Sequence, residues 1–206
     1  NLAQEIEAKI KGYEREACGE CSNFTLVRNG TCMKCNTCGA TSGCSWKGNE
    51  MANIIDQRLK ELNIELDDAS VPAGSYVPYV ITNNLVFISG QLPFIDGKLT
   101  IKGKVGDNVS LDDAVKMSEA CAKALLSQLK AACNGNLDKV NKVVKLGGFV
   151  ASAPNFTDQP KVINGASDLI VNIFGDKGKH SRFAVGVAAL PLNVPVEIDG
   201  IFEIED

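Results

Sequence analysis

The sequence predicts an α+β domain over residues 51–206, in which a sheet is covered on one face by two helices, and a small cysteine-rich module before it. Three observations predict this arrangement. Strand and helix patterns follow one another in the order strand, strand, helix, strand, helix, strand, strand. Six of the eight cysteines lie between Cys18 and Cys44. Hydrophobic residues make up 45% and charged residues 22% of the 206 residues, the balance of a globular protein.

The first half of the predicted domain is marked by apolar runs with recognisable end residues. Residues 54–62 have the spacing of a short amphipathic helix. The run Leu85–Gly90 predicts a buried strand that stops at glycine. Ser110 followed three residues later by Asp113 predicts the capped start of a long helix, and Gly135 can close it.

The second half repeats these signals. Residues 143–150 predict a strand, and the apolar positions of residues 162–174 predict a second helix that ends at Gly175. Two closing strands are predicted near residues 183–187 and 194–204. With both helices on one face of the sheet, the other face needs a cover, so we expect the chain to form an oligomer.

Composition and charge exclude several classes of function. The net charge of −4 leaves no electrostatic footprint for nucleic acid. The sequence contains no apolar run near the ~20 residues that span a bilayer. It also shows no charged-then-apolar leader, so we expect a cytoplasmic protein with no membrane or nucleic-acid partner.

The cysteine-rich module has the pattern Cys18-x2-Cys21, Cys32-x2-Cys35-x2-Cys38 and then Cys44. Two CxxC pairs separated by a short hairpin are typical of a zinc ribbon, because each pair can turn two thiolates onto one tetrahedral ion. The predicted ligands are Cys18, Cys21, Cys35 and Cys38. The zinc would then hold this module together, and the alternative is a redox pair formed by the leftover thiols. Cys121 and Cys133 fall in a helical pattern and are predicted to be packing residues.

The module also resembles a known family. Residues 29–39 and 43–45 read like the extreme C-terminal zinc-binding tail of adenosylcobalamin-dependent ribonucleotide reductases, and the resemblance covers residues 1–45 only. None of the catalytic barrel of those enzymes is present, so no reductase activity is expected. Trp46 stands where the reductase chain normally stops, and Met51 looks like an independent start. Residues 1–50 are therefore interpreted as a segment joined by gene fusion or by translation through a stop codon.

Residues 51–206 resemble the RidA (YjgF/Endoribonuclease L-PSP) family, because several motifs of that family occur in order. The motifs are Gly74-Ser75-Tyr76, the strand Asn84–Pro93, Asn164 at the opening of the second helix, and Arg182-x2-Val185-x-Val187-x2-Leu190-Pro191-x4-Val196-Glu197-Ile198. The resemblance implies a chorismate-mutase-like fold and a homotrimer whose sites lie between subunits. It also implies hydrolysis of reactive 2-enamine and 2-imine acids to 2-oxo acids and ammonia, without a cofactor.

Roles for individual residues follow from that resemblance and from their chemistry. The planar guanidinium of Arg182 can form two parallel hydrogen bonds to the carboxylate of a small metabolite. The alternative role for Arg182 is a surface or intersubunit ion pair. Glu197 lies in an apolar run that can raise its pKa, and it would position or activate the attacking water; the alternative is a half-exposed strand position. Tyr76, Ser89 and Asn164 would line the cleft. His180 is assigned a local structural role.

The sequence departs from better-studied members in three places. Ala184 stands where many have a cysteine, Ser75 replaces a proline, and the segment 152–160 is longer than usual. These changes indicate a branch of the family with longer chains, and they leave the identity of the substrate open. A non-catalytic trimer that binds or senses small carboxylates is therefore the alternative function. An endoribonuclease is disfavoured, because the chain is acidic and lacks basic or aromatic patches.

Overall fold

A computed structural model describes residues 2–14, 16–29, 32–42, 53–72 and 74–205. The chain divides into two compact units, Asn1–Ala52 and Asn53–Asp206, and each is described by itself. The predicted junction between Glu50 and Met51 lies outside the described residues, as do Cys44 and Trp46. The side chain of Cys32 is not among the described side chains either.

The first unit is a short helix followed by a small antiparallel sheet. Helix α1 spans Leu2–Ile10, and the strands are β1 (Leu26–Asn29), β2 (Cys32–Cys35) and β3 (Thr41–Ser42), in the order β1-β2-β3. Leu26 pairs with Cys35 across the hairpin. Together with Cys18, these two residues form a small buried cluster. The hairpin therefore brings the second CxxC pair against the first.

The second unit contains the predicted order of strands and helices after one leading helix. Its elements are α2 (Ile54–Glu61), β4 (Tyr79–Thr82), β5 (Leu85–Gln91), α3 (Leu111–Ala132), β6 (Val140–Ala151), α4 (Gln159–Phe174), β7 (Ser181–Val187) and β8 (Val196–Ile204). The predicted α+β class is confirmed. The carboxylate of Asp138 accepts hydrogen bonds from the backbone N–H groups of Ile54 and Ile55, which fixes the start of α2.

The five strands of the second unit form one mixed sheet in the order β4-β5-β8-β6-β7. All neighbouring strands are antiparallel except β6 and β7, which are parallel. Along β8 the residues are alternately buried and half-buried, so every second side chain faces the helices. Phe202 and Ile198 on that face pack into a core with Leu125 of α3 and Ile163 of α4.

The helix ends follow the predicted signals, with one shift. The Ser110 hydroxyl accepts a hydrogen bond from the backbone N–H of Asp113 at 3.1 Å, as the capping motif predicted. Gly135 has a φ of +87° and donates to the carbonyl of Lys130 just beyond α3. Helix α4 begins at Gln159, earlier than predicted, because Pro160 suits the first turn of a helix.

Cys121 and Cys133 are both buried in the core, which agrees with the predicted packing role. Burial raises the pKa of the Cys121 thiol well above its usual value, so this thiol stays protonated. It behaves as a small apolar side chain.

The face of the sheet away from α3 and α4 is called the open face here, and it carries apolar side chains in contact with solvent. Val80 is 53% exposed, Phe87 is 40% exposed and Val185 is 43% exposed. Val80 pairs with Phe87, which in turn pairs with Ile201, so these side chains lie in one row. An apolar surface of this kind is typical of a face that binds another protein.

No helix among those that the structure describes is long and apolar enough to cross a bilayer.

Candidate functional site

Arg182 is the second residue of β7, at the edge of the sheet, and its side chain reaches α4. Nη1 donates to Oδ1 of Asn164 and to Oγ of Ser167, both at 2.9 Å. Nη2 makes a longer bond of 3.4 Å to the carbonyl of Pro160. The Nε–Nη2 edge of the guanidinium makes no other hydrogen bond to the described residues. That edge can therefore receive a two-pronged acid group.

Asn164 and Ser167 are spaced three residues apart on α4, so they present their side chains on one helical face. Asn164 was predicted to open the second helix. It lies instead in the second turn of α4, because α4 starts at Gln159. Its side chain is exposed and in contact with Arg182. Ser167 was missed from the sequence, although the spacing from Asn164 would have indicated it.

Glu197 lies on β8, directly opposite Phe149 of β6, and its side chain is on the open face. It reaches over Gly90 of β5, where an added Cβ would collide with a carboxylate oxygen of Glu197. Gly90 thus leaves the space that this carboxylate occupies. Burial, and after it the neighbouring charge of Asp199, raises the pKa of Glu197. The carboxyl group is thereby better matched to proton transfer near neutral pH.

Asp199 is a second carboxylate on the same face, two residues further along β8. Burial raises its pKa, and this effect outweighs the hydrogen bond from the backbone N–H of Gly147 and the attraction of Lys145. Phe149 and Phe183 meet edge to face beside it, with ring centroids 5.2 Å apart. Asp199 was not among the residues predicted from the sequence, although the two-residue period of a strand places it on the same face as Glu197.

Strand register places Arg182 and Glu197 on opposite faces of the sheet. Arg182 is paired with Leu146, a buried residue on the helix side, and contacts α4. Glu197 is paired with Phe149, which lies on the open face. Because side chains alternate between the two faces of a strand, one chain does not bring these two groups together.

The remaining predicted residues fall into two groups. Asn164 joins Arg182, as described above. Tyr76 is 51% exposed and lines a cleft of about 1120 Å³ together with Gly90, the residue beneath Glu197. Ser89 precedes Gly90 and donates from Oγ to the carbonyl of Val77 at 2.8 Å. Tyr76 and Ser89 thus both lie close to Gly90, although the cleft that Tyr76 lines also includes Lys123 of α3 and does not include Glu197. Arg182 with Asn164, and Glu197 over Gly90, are therefore two separate half-sites.

The first unit contains a separate cluster of four sulfur atoms. The Sγ atoms of Cys18, Cys21, Cys35 and Cys38 all lie within 4.8 Å of one another. The Cys18–Cys38 and Cys21–Cys35 pairs are each 3.6 Å apart. Four thiolates around one ion at about 2.3 Å would be about 3.8 Å apart, so the spacing fits a tetrahedral site.

Proton equilibria within the cluster also favour a cation. The hydroxyl of Thr25, followed by the backbone N–H of Cys38, lowers the pKa of Cys35 to about 5. The backbone N–H of Ala40 lowers the pKa of Cys38, but the neighbouring sulfur atoms outweigh it and raise that pKa to about 12. The raised pKa of Cys38 reflects the cost of a second negative charge beside the neighbouring sulfur atoms, a cost that a bound metal ion would remove.

Comparisons with known proteins give different relatives for the two units. Residues 56–201 match the family model described as YjgF/chorismate_mutase-like. Protein TCP17 of Trypanosoma cruzi is 44% identical over 153 residues, which are 74% of this chain and 95% of that protein. The crystal structure of Atu1372 from Agrobacterium tumefaciens is 49% identical with a TM-score of 0.70, covering 75% of this chain and 95% of that one.

Two more relatives bear on function. A protein of Dermatophagoides farinae named 2-iminobutanoate/2-iminopropanoate deaminase is 28% identical over 66% of this chain and 91% of its own length. The N-terminal segment is 80% identical over 39 residues to the vitamin B12-dependent ribonucleotide reductase of Bradyrhizobium diazoefficiens. Those residues are 19% of this chain but 3% of the reductase. The predicted resemblance of the segment to the reductase tail is confirmed.

Proposed function

Because the chain belongs to the YjgF/chorismate mutase-like family, we propose that it hydrolyses reactive 2-enamine and 2-imine acids to 2-oxo acids and ammonia. The observation that supports this most is the guanidinium of Arg182, which is held along Nη1 and keeps its Nε–Nη2 edge for a carboxylate. The deaminase from Dermatophagoides farinae, similar over 91% of its own length, supports the same chemistry.

In the proposed reaction, Arg182 binds the substrate carboxylate and Glu197 accepts a proton from water. The water oxygen bonds to the imine carbon, and the electron pair of the C=N bond moves to nitrogen, which takes up a proton. The hydroxyl group of the resulting carbinolamine then loses its proton while the amino nitrogen gains one, so the C=O bond forms, the C–N bond breaks, ammonia is released and the 2-oxo acid remains. The imine carbon is already electrophilic, so the reaction needs no cofactor.

The two half-sites support a site shared between copies of the chain. We propose a homotrimer in which Arg182 and Asn164 of one subunit face Glu197, Ser89 and Tyr76 of its neighbour. The exposed apolar residues of the open face, including Phe87 and Val185, would be covered in this assembly. Glu197 lies on that face, so covering it would bring the carboxylate into an intersubunit cleft.

The deaminase activity is tested by generating 2-aminoacrylate in situ and measuring formation of the 2-oxo acid. We expect the wild-type protein to accelerate hydrolysis above the spontaneous rate, and Arg182→Ala to remove the acceleration. A wild-type protein that binds a 2-oxo acid without accelerating hydrolysis would instead indicate the alternative function, a trimeric binder or sensor of small carboxylates.

Mixed trimers test whether the site is shared. Arg182→Ala and Glu197→Gln chains, each inactive alone, are co-expressed with different tags and purified as heterotrimers. If one subunit supplies the arginine and the next the glutamate, each purified heterotrimer contains one complete site of three, so about one third of the wild-type activity is expected. Activity no higher than in either parent would contradict a shared site.

For the first unit, we propose that Cys18, Cys21, Cys35 and Cys38 bind one zinc ion with a structural role. The sulfur spacing and the similarity to the reductase segment support this assignment. Four-thiolate zinc sites are usually closed, which leaves no open position for catalysis. Cys32 and Cys44 keep their alternative assignment as a redox pair.

Metal analysis of the full chain tests the zinc site. We expect about one zinc per chain, and Cys35→Ser is expected to lower the zinc content to near zero because three thiolates bind far more weakly. Cys133→Ser is the matched control, since Cys133 lies in the core of the second unit. Equal zinc loss in both variants, or no zinc in the wild type, would contradict the assignment.

A further inference from the structure

A chain of hydrogen bonds runs from Arg182 away from the proposed carboxylate site. Nη1 of Arg182 is 2.9 Å from Oγ of Ser167. Oγ of Ser167 is 3.0 Å from Nε2 of His180. Nδ1 of His180 is 2.6 Å from the carbonyl oxygen of Gly178. Three side chains from α4, β7 and the residue before β7 are thus connected in series.

The chemistry of the two end groups, the Gly178 carbonyl and the Arg182 guanidinium, determines which atom donates in each hydrogen bond of this series. The carbonyl of Gly178 can only accept, so Nδ1 of His180 carries a proton. In the neutral ring Nε2 then has a free lone pair, and it accepts the hydroxyl proton of Ser167. With its proton directed to His180, Ser167 presents a lone pair to Arg182, whose Nη1 can only donate. Every bond in the series is satisfied in one consistent orientation.

These hydrogen bonds restrict the motion of the Arg182 guanidinium. Arg182 has many rotamers, and it is anchored near the start of an edge strand. Asn164 accepts one of the two Nη1 protons and Ser167 accepts the other. The serine hydroxyl alone can rotate, so its lone pair would face Arg182 only part of the time. His180 removes that rotation by accepting the hydroxyl proton.

We propose that Ser167 and His180 are positioning residues for Arg182, and that they set the affinity of the site for carboxylates by holding the Nε–Nη2 edge in place. This inference rests on the proposed function, in which Arg182 binds the substrate carboxylate. The role differs from the local structural role predicted for His180, which would require only its bond to Gly178.

Two replacements of His180 separate these roles. Asparagine places its amide near Nδ1, so His180→Asn keeps the bond to Gly178 and loses the bond to Ser167. Glutamine reaches the position of Nε2, so His180→Gln keeps an acceptor for Ser167 and loses the bond to Gly178. A positioning role predicts that His180→Asn weakens carboxylate binding and that His180→Gln does not.

The measurement combines turnover with calorimetric binding of pyruvate, a 2-oxo acid. We expect His180→Asn to raise KM and the Kd for pyruvate about tenfold, the effect of losing about one hydrogen bond, because the Ser167 lone pair then faces Arg182 only part of the time, while kcat stays within about twofold. His180→Gln is expected to bind like the wild type. Ser167→Ala and Ser167→Thr form a second pair, in which threonine keeps the hydroxyl and is expected to restore the affinity.

Three results would overturn the inference. Wild-type affinity in both His180→Asn and Ser167→Ala shows that Arg182 needs no support. Equal losses in His180→Asn and His180→Gln show that the ring serves only the local structure. If Arg182→Ala binds pyruvate as tightly as the wild type does, the proposed carboxylate site itself is wrong and the inference falls with it. A loss with Arg182→Ala alone overturns only the positioning role.

Discussion

Arg182→Ala is expected to lower kcat/KM for 2-aminoacrylate hydrolysis by about 100-fold or more, because two charge-assisted hydrogen bonds to the substrate carboxylate are lost. The structure leaves the Nε–Nη2 edge of this arginine for a ligand and occupies the Nη1 edge with Asn164 and Ser167. Steady-state kinetics at varied substrate concentration measure the loss, and the binding of pyruvate measures the same contact without turnover.

Two further variants define what Arg182 contributes. Arg182→Lys keeps the positive charge without the planar fork, so it is expected to recover less than about a tenth of the lost efficiency. Arg58→Ala is the matched control, since Arg58 also donates to α4, through the carbonyl of Asn172 at 3.0 Å. Full activity in Arg182→Lys would show that a point charge is enough, and equal losses in Arg182→Ala and Arg58→Ala would indicate a general effect on α4.

The order of strands and helices could be predicted from the sequence because each element carries its own local signal. Ser110 caps α3 through its side chain, and the run at Leu85–Gly90 coincides with β5. The sheet order β4-β5-β8-β6-β7 could not be obtained in this way. It depends on which distant strands pair, and the apolar pattern of one strand does not identify its neighbour.

The sequence motifs name the candidate residues of the site, but they do not show how these residues are divided between the two faces of the sheet. The motif that contains Arg182 and Glu197 carries no information on which face of the sheet each occupies. That depends on the register of β6 with both β7 and β8, since Arg182 is opposite Leu146 and Glu197 is opposite Phe149. The spacing from Asn164 indicates the position of Ser167, but the role of Ser167 arises from three-dimensional contacts with Arg182 and His180.

Glu197→Gln is expected to lower kcat by about 100- to 10,000-fold with a small change in KM, because the amide keeps the shape of the side chain and cannot accept a proton. Glu203→Gln is the matched control on the same face of β8, where Glu203 accepts a hydrogen bond from Asn84 at 3.0 Å. Steady-state kinetics give kcat for both variants. A Glu197→Gln enzyme with wild-type kcat would exclude Glu197 as the base.

The pH dependence of the reaction tests the same role through the electrostatics of the open face. Glu197 must be ionised to accept a proton from water, so activity is expected to fall as the pH drops through its pKa, which burial and the charge of Asp199 raise. Asp199→Asn removes that charge and lowers the pKa of Glu197. The acid limb of the pH profile of kcat/KM is therefore expected to move to lower pH in Asp199→Asn. A limb that stays in place or moves to higher pH would show that a group other than Glu197 controls it.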